Sequence, residues 1–331
     1  MTLSDTSLII TSISTPNVAM KLFSKGCLKN KIDFIVIGDS KSPENFEIEG
    51  CRFLSVKEQQ KLPFKLAKLI PLKKYSRKNI GYLISKNKEC IIETDDDNFP
   101  KENFWEKREK SQLVPIINQK GWFNIYTYFT KEMVWPRGLP LEEIRKKNIK
   151  IQKSKQEMRI CPIQQGLADD NPDVDAVYRL THETSLRFDQ GKKVILSDGT
   201  WCPFNSQNTI WFKEAFPLMY LPSYCSFRMT DIWRSFIAQR VAWECGWTIM
   251  FESPTVYQER NEHNLLTDFT DEIPGYVNNS RICKMLGDLK LKKGKEYILD
   301  NLVSCYKMMI EEEFVEKEEM KLVEAWCEEF K

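Results

Sequence analysis

Three short apolar runs stand in the first hundred residues, and polar stretches long enough for helices separate them. The runs cover residues 8–12, 34–39 and 89–94 and are rich in β-branched side chains, as buried strands usually are. Thr15-Pro16 is typical of a helix start, and residues 77–88 have helical character. The alternation of strand and helix predicts an α/β fold in which crossover helices join parallel strands.

The second half of the chain gives a less regular pattern. Between about 100 and 175 we expect a loop-rich connection with one short helix, because Trp and Pro residues are scattered among charged ones. Helical spacing returns over Met229–Glu244, and two strands are predicted near Thr248–Phe251 and Thr255–Gln258. From about residue 280 onwards the chain is predicted to be helical.

Residues 311–331 are strongly acidic, with nine Glu and three Lys. We expect a solvated amphipathic helix in this segment. Its predicted buried stripe is Phe314, Leu322, Val323 and Trp326. The alternative is a helix that docks a partner or a second copy of the chain.

Composition narrows the function classes. Lys and Arg number 49 against 47 Asp and Glu, and a nucleic-acid-binding protein normally has a basic excess, so nucleic acid is not an expected partner. No apolar run approaches the ~18 residues of a membrane-spanning helix, and residues 1–12 lack the basic start of a secretory signal. The ten Cys are at least 20 residues apart, which excludes closely spaced metal knuckles. A cytoplasmic location is therefore expected.

Three aspartates, Asp95, Asp96 and Asp97, follow directly after the third apolar run. Strand alternation would turn Asp95 and Asp97 the same way and Asp96 the other way. Three carboxylates at a sheet edge repel one another unless a cation neutralises them. Mg²⁺ or Mn²⁺ with a diphosphate would do so through oxygen ligands, and the alternative is a solvated acidic turn that caps the next helix. Thr11 and Asp39 stand at the ends of the first two strands, where parallel sheets bind ligands.

A basic stretch precedes the triplet, since residues 57–78 hold eight Lys or Arg and one Glu. Arg77, with Gly81 leading into a helix, suits a phosphate-bearing ligand, and the alternative is a solvated basic helix. Arg137 lies in a turn between two prolines, which would present its guanidinium rigidly to a diphosphate or an acidic sugar. The alternative for Arg137 is a loop arginine that bonds to backbone carbonyls.

Three amides, Asn205, Gln207 and Asn208, bunch at one predicted strand start. Because an amide both donates and accepts hydrogen bonds, this cluster suits sugar hydroxyls. The alternative is that the amides only stabilise the turn.

The order of these elements resembles a known superfamily. The segment Arg77-x-Asn79-x-Gly81, followed by a helix, an apolar strand and the aspartate triplet, resembles the first half of the GT-A nucleotide-sugar glycosyltransferases. Residues 203–216 resemble the strand and helix that face the sugar in that superfamily. Thr230-Asp231 resembles the acidic motif at the head of the acceptor-side helix, although many relatives have a second acid in place of Thr230.

A closer resemblance is to the STELLO-type glycosyltransferases. It extends over about residues 8–275, and its blocks are residues 36–43, 79–83, 93–98, 135–142, 202–209 and 231–234. It implies a GT-A fold, a Rossmann-like mixed sheet flanked by helices, over residues 1–278, with a helical C-terminal extension over residues 279–331. The implied activity is metal-dependent transfer of a sugar from a nucleotide-diphosphate sugar, of the UDP-sugar kind, to a glycan or other hydroxyl acceptor. A hexosyl- or pentosyltransferase would do this.

The resemblance also implies roles for individual residues. Asp231 takes the place of the base that deprotonates the acceptor if the enzyme inverts, whereas a retaining enzyme needs no such base. Mn²⁺ or Mg²⁺ would be held by Asp95, Asp97 and His263, the late His that GT-A enzymes often supply. The alternative for His263 is a surface residue without a partner. The implied donor site, with the nucleotide base near Thr11 and Asp39, comprises Thr11, Asp39, Arg77, Asn79, Asp95, Asp96, Arg137, Asn205 and Asn208.

Two other interpretations stay open. The chain could be a catalytically inactive GT-A-like scaffold for protein assembly, although the retained Asp95, Asp97 and Asp231 argue against that. It could also be a UDP-sugar mutase-type protein that glycosylates itself, because the triplet resembles the one in that family. Metal-dependent binding of a nucleotide diphosphate separates the first alternative from an enzyme, and added sugar mass on the protein itself would reveal the second.

Overall fold

A computed structural model of the protein describes residues 5–146, 156–183, 185–260 and 264–331. The strands are β1 (Thr6–Thr11), β2 (Asp33–Ile37), β3 (Cys51–Leu54), β4 (Cys90–Thr94), β5 (Asn98–Pro100), β6 (Ser111–Ile117), β7 (Gly121–Trp122), β8 (Gln156–Ile160), β9 (Ile163–Asp169), β10 (Lys193–Leu196), β11 (Thr200–Trp201), β12 (Asn208–Phe212) and β13 (Ile249–Gln258). The α-helices are α1 (Val18–Asn30), α2 (Val56–Gln60), α3 (Lys65–Leu69), α4 (Lys78–Ile84), α5 (Tyr126–Phe129), α6 (Ala176–Thr181), α7 (Thr230–Glu244), α8 (Leu265–Asp288), α9 (Ile298–Glu311) and α10 (Glu319–Glu328). Over the described ranges, no helix combines the length and the hydrophobicity that a membrane crossing demands.

The main sheet has the strand order β3-β2-β1-β4-β12-β9-β13-β10-β6-β8, with β5 paired to β13 at the side. The first four of these strands run parallel, with Ile9 opposite Ile35 and Leu8 opposite Ile92. β12 is inserted antiparallel between β4 and β9, and β9 and β13 again run parallel. As a result, β1, β2, β4, β9 and β13 all end at the edge where β12 begins. Open α/β sheets bind their ligands at such an edge.

Alternation along β1 explains how helices come to cover both faces of the sheet. Leu8 and Ile10 lie in the apolar cluster that includes Phe23 of α1, whereas Ile9 belongs to the cluster that includes α4 and α7. Gly81 lets α4 approach the sheet, because a Cβ at this position would lie 2.6 Å from the side chain of Ile9. The predicted α/β class, a mixed sheet flanked by helices with further helices at the C-terminus, is confirmed.

Between residues 100 and 175 the expected short helix is present as α5, but the expectation that the rest is loop is wrong, because this segment contributes β6, β8 and β9 to the sheet. β9 is wholly buried, although its sequence includes two glutamines. These side chains are accommodated because their amides donate to backbone carbonyls. Gln165 Nε2 lies 3.1 Å from the carbonyl oxygen of Asn208, and Gln164 Nε2 lies 2.8 Å from that of Glu109. Polar residues at buried positions conceal this strand from a hydrophobicity pattern.

Two predicted boundaries differ in the later part of the chain. The two strands predicted within residues 248–258 form the single strand β13, with a register shift between Glu252 and Val256. The C-terminal helices begin at Leu265 rather than near residue 280. The predicted boundary between residues 278 and 279 therefore falls inside α8, and the division into residues 1–278 and 279–331 stays a prediction.

The acidic C-terminal segment does not form the single helix that its sequence predicts. A turn in which Glu313 has φ 59° separates α9 from α10. The predicted stripe is nevertheless buried: Phe314, Leu322, Val323 and Trp326. The indole N–H of Trp326 donates to the carbonyl of Pro217 at 2.8 Å, so α10 packs on the segment that follows β12.

A buried carboxylate on β4 joins the sheet to α7. Glu93 is 0% exposed, and Arg234 Nη1 lies 2.8 Å from its Oε1. Trp211 Nε1 donates to the same oxygen at 2.8 Å, and the hydroxyl of Tyr82 donates to the other one. Two charges buried together are stable only when short contacts and further hydrogen bonds offset their lost hydration. Here donors from α4, β12 and α7 surround one carboxylate.

Arg234→Met should lower the free energy of unfolding by about 3–5 kcal/mol, because it leaves Glu93 charged and unpaired in the core. Chemical denaturation measures the difference. The double variant Glu93→Leu/Arg234→Met should recover part of the loss. Lys65→Met, which removes a surface ion pair with Glu328, should change the free energy by less than about 1 kcal/mol. If Arg234→Met were as stable as the wild type, the buried pair would not be what holds α7 on the sheet.

Candidate active site

A cavity of about 570 Å³ lies at the edge where the parallel strands end. Seven residues that the sequence analysis assigned to the site line this cavity: Thr11, Asp39, Asp95, Asp96, Asp97, Arg137 and Asp231. They come from the ends of β1, β2 and β4, from the loop after α5 and from the start of α7. The fold thus brings together predicted residues that lie far apart in the sequence.

The Asp95 side chain lies between a tyrosine and a buried lysine. Its Oδ1 accepts from the Tyr75 hydroxyl at 2.8 Å and lies 3.3 Å from the ammonium of Lys78, whose side chain is 0% exposed. Burial raises the pKa of Asp95 to about 6; Lys78 opposes this rise and Asp97 adds to it. Near neutral pH the carboxylate is charged in an unfavourable environment, which a further cation would improve.

The other two aspartates of the triplet lie in a turn, because β4 ends at Thr94. The expectation that Asp96 points away from its neighbours is wrong, since strand alternation has stopped and all three residues line the cavity. Asp96 accepts from the Ser12 hydroxyl, and Gln258 Nε2 donates to Asp97 Oδ1 at 3.0 Å. The element that follows the triplet is the strand β5, so the triplet is not the cap of a helix that begins directly after it.

Asp95 and Asp97 carry hard oxygen donors of the kind that Mg²⁺ and Mn²⁺ prefer. In the described part of the chain, no three His, Cys, Asp or Glu side chains lie close enough to hold a metal by themselves. A cation at Asp95 and Asp97 would therefore need further oxygen ligands from a bound molecule or from water. The raised pKa of Asp95 fits such a cation, because positive charge there would stabilise the carboxylate. His263, the third predicted ligand, lies outside the described residues.

Thr11 and Asp39 lie at the ends of the neighbouring parallel strands β1 and β2. Thr11 Oγ1 is buried and has no hydrogen-bond partner among the described residues. A ligand atom at this position would satisfy it. Asp39 Oδ2 accepts the backbone N–H of Lys74 at 3.1 Å. The preceding Lys73 has φ 60°, and this turn brings both lysines to the cavity wall.

The Arg137 guanidinium is shared by two carboxylates. Nε and Nη2 donate to Asp173, both at 2.8 Å, while Nη1 and Nη2 donate to Asp231, both at 3.0 Å. Nη1 also donates to the carbonyl of Arg228. All five N–H groups of Arg137 are thus used, and none is left for the predicted diphosphate or acidic sugar. Gly138, at φ 91°, lets this turn rest on α7, since a Cβ there would lie 2.5 Å from a side chain of that helix.

Asp231 lies in the first turn of α7 and is 6% exposed. Burial by itself would raise the pKa of its carboxyl group, but the Arg137 guanidinium outweighs burial and holds the pKa below its usual range. The backbone N–H and the hydroxyl of Ser206 donate to the same carboxylate at 3.1 and 3.2 Å. Asp231 is therefore ionised at neutral pH, and the ion pair with Arg137 is the main favourable cause.

Three contacts of hydrogen-bond length connect Asp231 with Asp95, and the two hydroxyls between them have two protons to share among these contacts. Ser206 Oγ lies 3.2 Å from Asp231 Oδ2 and 2.6 Å from the Tyr75 hydroxyl, which lies 2.8 Å from Asp95 Oδ1. Lys78 Nζ donates to the same tyrosine hydroxyl at 2.7 Å. Because neighbouring hydrogen bonds polarise one another, a change of charge at one carboxylate alters the bonds that the other receives.

Arg77 and Asn79 are not part of the cavity wall. Arg77 is 2% exposed; its Nε donates to Gln59 at 2.9 Å and its Nη1 to the carbonyl of Ile70 at 3.0 Å. Asn79 exchanges two hydrogen bonds with the backbone of Leu221, at 2.8 and 2.9 Å. Arg77 and Asn79 bond to other protein groups and hold the start of α4 in place. They are neither at the cavity, as a phosphate contact would require, nor exposed, as in a solvated helix.

Asn205 and Asn208 also lie outside the 570 Å³ cavity. Asn208 Nδ2 donates to the carbonyl of Leu167 at 3.0 Å, and Asn205 Nδ2 donates to Asp173 at 2.9 Å. These contacts stabilise the start of β12, as expected if the two amides only stabilise the turn. Gln207, the third amide of the cluster, does line the cavity.

Several polar residues of the site were not predicted from the sequence, and four of them contact the predicted carboxylates or lie among them: Tyr75, Lys78, Asp173 and Ser206. Lys78 stands in a basic stretch, where composition cannot distinguish one buried lysine from its solvated neighbours. Asp173 follows β9. Recognition of that strand would have placed this carboxylate at the same edge as Asp95.

Comparison with known proteins gives two kinds of match. Residues 228–331 match the family model of the STELLO glycosyltransferases. Two Arabidopsis thaliana proteins are similar over most of the chain: "Probable glycosyltransferase STELLO2", 29% identical over 326 residues, and "Probable glycosyltransferase STELLO1", 30% identical over 315 residues. The predicted resemblance to the STELLO glycosyltransferases is confirmed. The alignments cover 92% and 89% of this chain but 42% and 40% of the two relatives, so the chain spans about two fifths of their length.

Two solved structures are more distantly similar. One, described as "Crystal Structure of a Mycobacterial Protein", has a TM-score of 0.41 at 10% identity over 83% of this chain and 74% of that one. The other, "Crystal structure of GalNAc-T7 with UDP, GalNAc and Mn2+", has a TM-score of 0.38 at 11% identity over 92% of this chain and 57% of that one. Such low TM-scores support no conclusion about a ligand or a mechanism.

Asp95→Asn should make the protein more stable at pH 8. The pKa of Asp95 is about 6 in the folded protein and about 4 in an unfolded chain. The charged form, which dominates above pH 6, therefore destabilises the fold, and this penalty shrinks as the pH falls from 6 towards 4. With allowance for the 30% exposure of the side chain, the variant should gain roughly 1–2 kcal/mol at pH 8 and little at pH 4.

Chemical denaturation at both pH values tests this difference. Asp198→Asn, which changes a carboxylate that is 75% exposed, is the matched control and should alter stability at neither pH. A variant of Asp95 that is less stable than the wild type at pH 8 would show that the charged aspartate is favourable in the cavity.

Proposed function

We propose that this chain is the catalytic region of a glycosyltransferase, which moves a sugar from a nucleotide-diphosphate sugar of the UDP-sugar kind to an acceptor hydroxyl. The observation that carries this proposal is the cavity of about 570 Å³ lined by the Asp95–Asp97 triplet, Thr11 and the buried Asp231. The similarity to the STELLO glycosyltransferases supports the same reaction class.

The nucleoside would lie at the end of the cavity formed by β1 and β2. Thr11 Oγ1 lacks a hydrogen-bond partner among the described residues, and the carboxylate of Asp39 can accept from a base or a ribose hydroxyl. Lys73 and Lys74 line the same end. Their ammonium groups would reduce the repulsion between the phosphates of the donor and the neighbouring aspartates.

Asp95 and Asp97, together with oxygens of the diphosphate, fit Mn²⁺ or Mg²⁺, and His263 is the third proposed ligand. When bound, the cation would stabilise the charge that develops on the leaving diphosphate. Tyr75 and Lys78 keep the Asp95 carboxylate in a fixed orientation through contacts of 2.8 and 3.3 Å. The protein thus supplies an oriented acidic wall for the phosphate end of the donor.

Asp231 is the proposed general base of an inverting reaction. Arg137 and Ser206 hold its carboxylate in one orientation and keep it ionised. The lowered pKa makes it a weak base. It would therefore take the proton as the new glycosidic bond forms, because the acceptor hydroxyl becomes strongly acidic at that stage.

Asp97→Ala should abolish the Mn²⁺-dependent part of UDP binding while the fold survives, because it removes one of the proposed cation ligands. Calorimetric titration of UDP with and without Mn²⁺ measures this part. Asp198→Ala, at a 75% exposed carboxylate, should bind UDP as the wild type does. If Asp97→Ala kept its full response to Mn²⁺, the triplet would not be the cation site.

Asp231→Asn should preserve UDP binding and slow transfer by about 10²–10⁴-fold, the usual contribution of a general base. Transfer is measured as UDP release from the UDP-sugar that the wild type turns over fastest, and Asp198→Asn is the control. A wild-type rate in Asp231→Asn would mean that Asp231 is structural or that the reaction retains configuration.

The same assays separate the two other interpretations. A catalytically inactive scaffold would show no Mn²⁺-dependent UDP binding even in the wild type. A mutase-type protein that glycosylates itself would gain the mass of a sugar on incubation with a UDP-sugar, which intact-protein mass spectrometry detects. A glycosyltransferase would bind UDP with Mn²⁺ and leave its own mass unchanged.

A further inference from the structure

Besides Arg137, three arginines line the cavity: Arg179, Arg228 and Arg260. Arg179 belongs to α6, Arg228 to the 3-10 helix Phe227–Met229, and Arg260 follows β13 by two residues. The roles proposed above for the nucleotide, the cation and the general base use none of them. We refer to these three residues as the arginine cluster.

Two members of the arginine cluster have a carboxylate partner. Arg228 Nη2 lies 2.9 Å from Glu272 Oε1, and Glu272 is 0% exposed. Arg260 Nη2 pairs with Asp268. Arg179 is the third member, and Asp173 and Asp268 are the carboxylates whose charge reaches it.

Arg179 forms no ion pair with the described residues. Its Nη2 donates to the carbonyl of Pro172 at 2.8 Å, and its buried Nε has no hydrogen-bond partner in the part of the chain that the structure describes. A buried N–H of a charged group rarely lacks a hydrogen-bond partner, because a hydrogen bond from a charged donor is stronger than one between neutral groups. The Nε atoms of Arg108 and Arg234 also lack a partner among the described residues, but both of those side chains pair with a carboxylate. Arg179 lines the cavity with no such ion pair to the described residues, so its guanidinium group can bind an anion there.

Electrostatics leads to the same conclusion. Burial, together with the like charges of Arg260 and Arg228, lowers the pKa of Arg179 to about 10, although Asp173 and Asp268 act in the opposite direction. Burial also lowers the pKa of Arg260, again with a contribution from Arg228. Like charges are thus held together in a partly dry cavity. An anionic group that receives hydrogen bonds from several guanidinium groups would relieve the repulsion.

The position of the arginine cluster separates it from the nucleoside end of the cavity. Asp39 follows β2, whereas Arg260 follows β13, which is the fifth strand along the sheet from β2. The backbone carbonyl of Arg228 accepts from Arg137, which pairs with Asp231. The cluster is therefore adjacent to the residue proposed to deprotonate the acceptor.

We infer that the arginine cluster binds a phosphate or carboxylate group of the acceptor, so that the acceptor of this reaction is an anionic molecule. This inference rests on the proposed function, because it is the transfer reaction that defines an acceptor. Arg179 supplies the guanidinium group that has no ion pair with the described residues, and Arg228 and Arg260, each paired with a carboxylate, line the same wall. Both phosphate and carboxylate present two oxygens that match the edge of a guanidinium group.

The test titrates inorganic phosphate and, separately, acetate into protein saturated with UDP and Mg²⁺, so that the nucleotide end is already filled. Wild-type protein should bind at least one of the two anions, and the tighter one identifies the group on the acceptor. Arg179→Gln should weaken this binding at least about 10-fold and leave UDP affinity within about 2-fold. The control Arg187→Gln changes an arginine whose side chain is 80% exposed, and it should bind as the wild type does.

Three results would overturn the inference. The first is that neither anion binds to the UDP-saturated wild type. The second is that Arg179→Gln binds the anion as tightly as the wild type does. The third is that anion and UDP compete while Arg179→Gln loses UDP affinity, which would assign the cluster to the diphosphate of the donor.

Two further measurements make the test independent of the folding of Arg179→Gln and of UDP binding. If Arg179→Gln does not fold, judged by its circular dichroism and denaturation, Arg260→Gln replaces it with the same expected weakening. If the wild type binds no UDP, the proposed function fails by itself. Titration of the anions without UDP then still shows whether the arginine cluster is an anion site, and loss of binding in Arg179→Gln still decides it.

Discussion

The carboxylate of Glu93 is the point on which the geometry of the site depends. It lies one residue before the end of β4 and accepts from Arg234 of α7 and from Trp211 of β12. Asp95 follows it by two residues, and Asp231 precedes Arg234 by less than one helical turn. One buried ion pair therefore sets the distance between the acidic triplet and the residue proposed as the base. Both partners are buried, so neither can be replaced by water without a large loss of stability.

The distribution of charge around the cavity follows from similar pairings. Arg137 joins Asp173 to Asp231, and Lys78 stands behind Asp95. These cations orient the carboxylates and keep Asp231 ionised, but they use the donors that a ligand could otherwise have met. Arg179 is different because its guanidinium bonds to a backbone carbonyl and to no carboxylate among the described residues. The acidic centre thus suits a cation and a diphosphate, while the arginine cluster suits an anion.

Much of the fold could be predicted from residues that are neighbours in the sequence. The first apolar runs and the helix between them identify the parallel strands, because buried strands leave a continuous hydrophobic pattern. β9 was missed because Gln164 and Gln165 satisfy their amides within the core through backbone partners. The partners of long cationic side chains are equally hard to predict from neighbouring residues. Arg77 and Arg137 suggested phosphate contacts, whereas their actual partners come from other segments of the chain.

The strand ends at which polar residues gather, and the acidic character of the site, can be predicted from neighbouring residues, because the order of strand, turn and aspartate is local. Which of these residues face the cavity, and which have their donors and acceptors already bonded to other protein groups, depends on the folded chain. Asp231 illustrates the difference: its place at the start of α7 is readable from the sequence, but its lowered pKa comes from Arg137, 94 residues away. Electrostatic partners are chosen by distance in space, and a linear pattern of residues does not contain that distance.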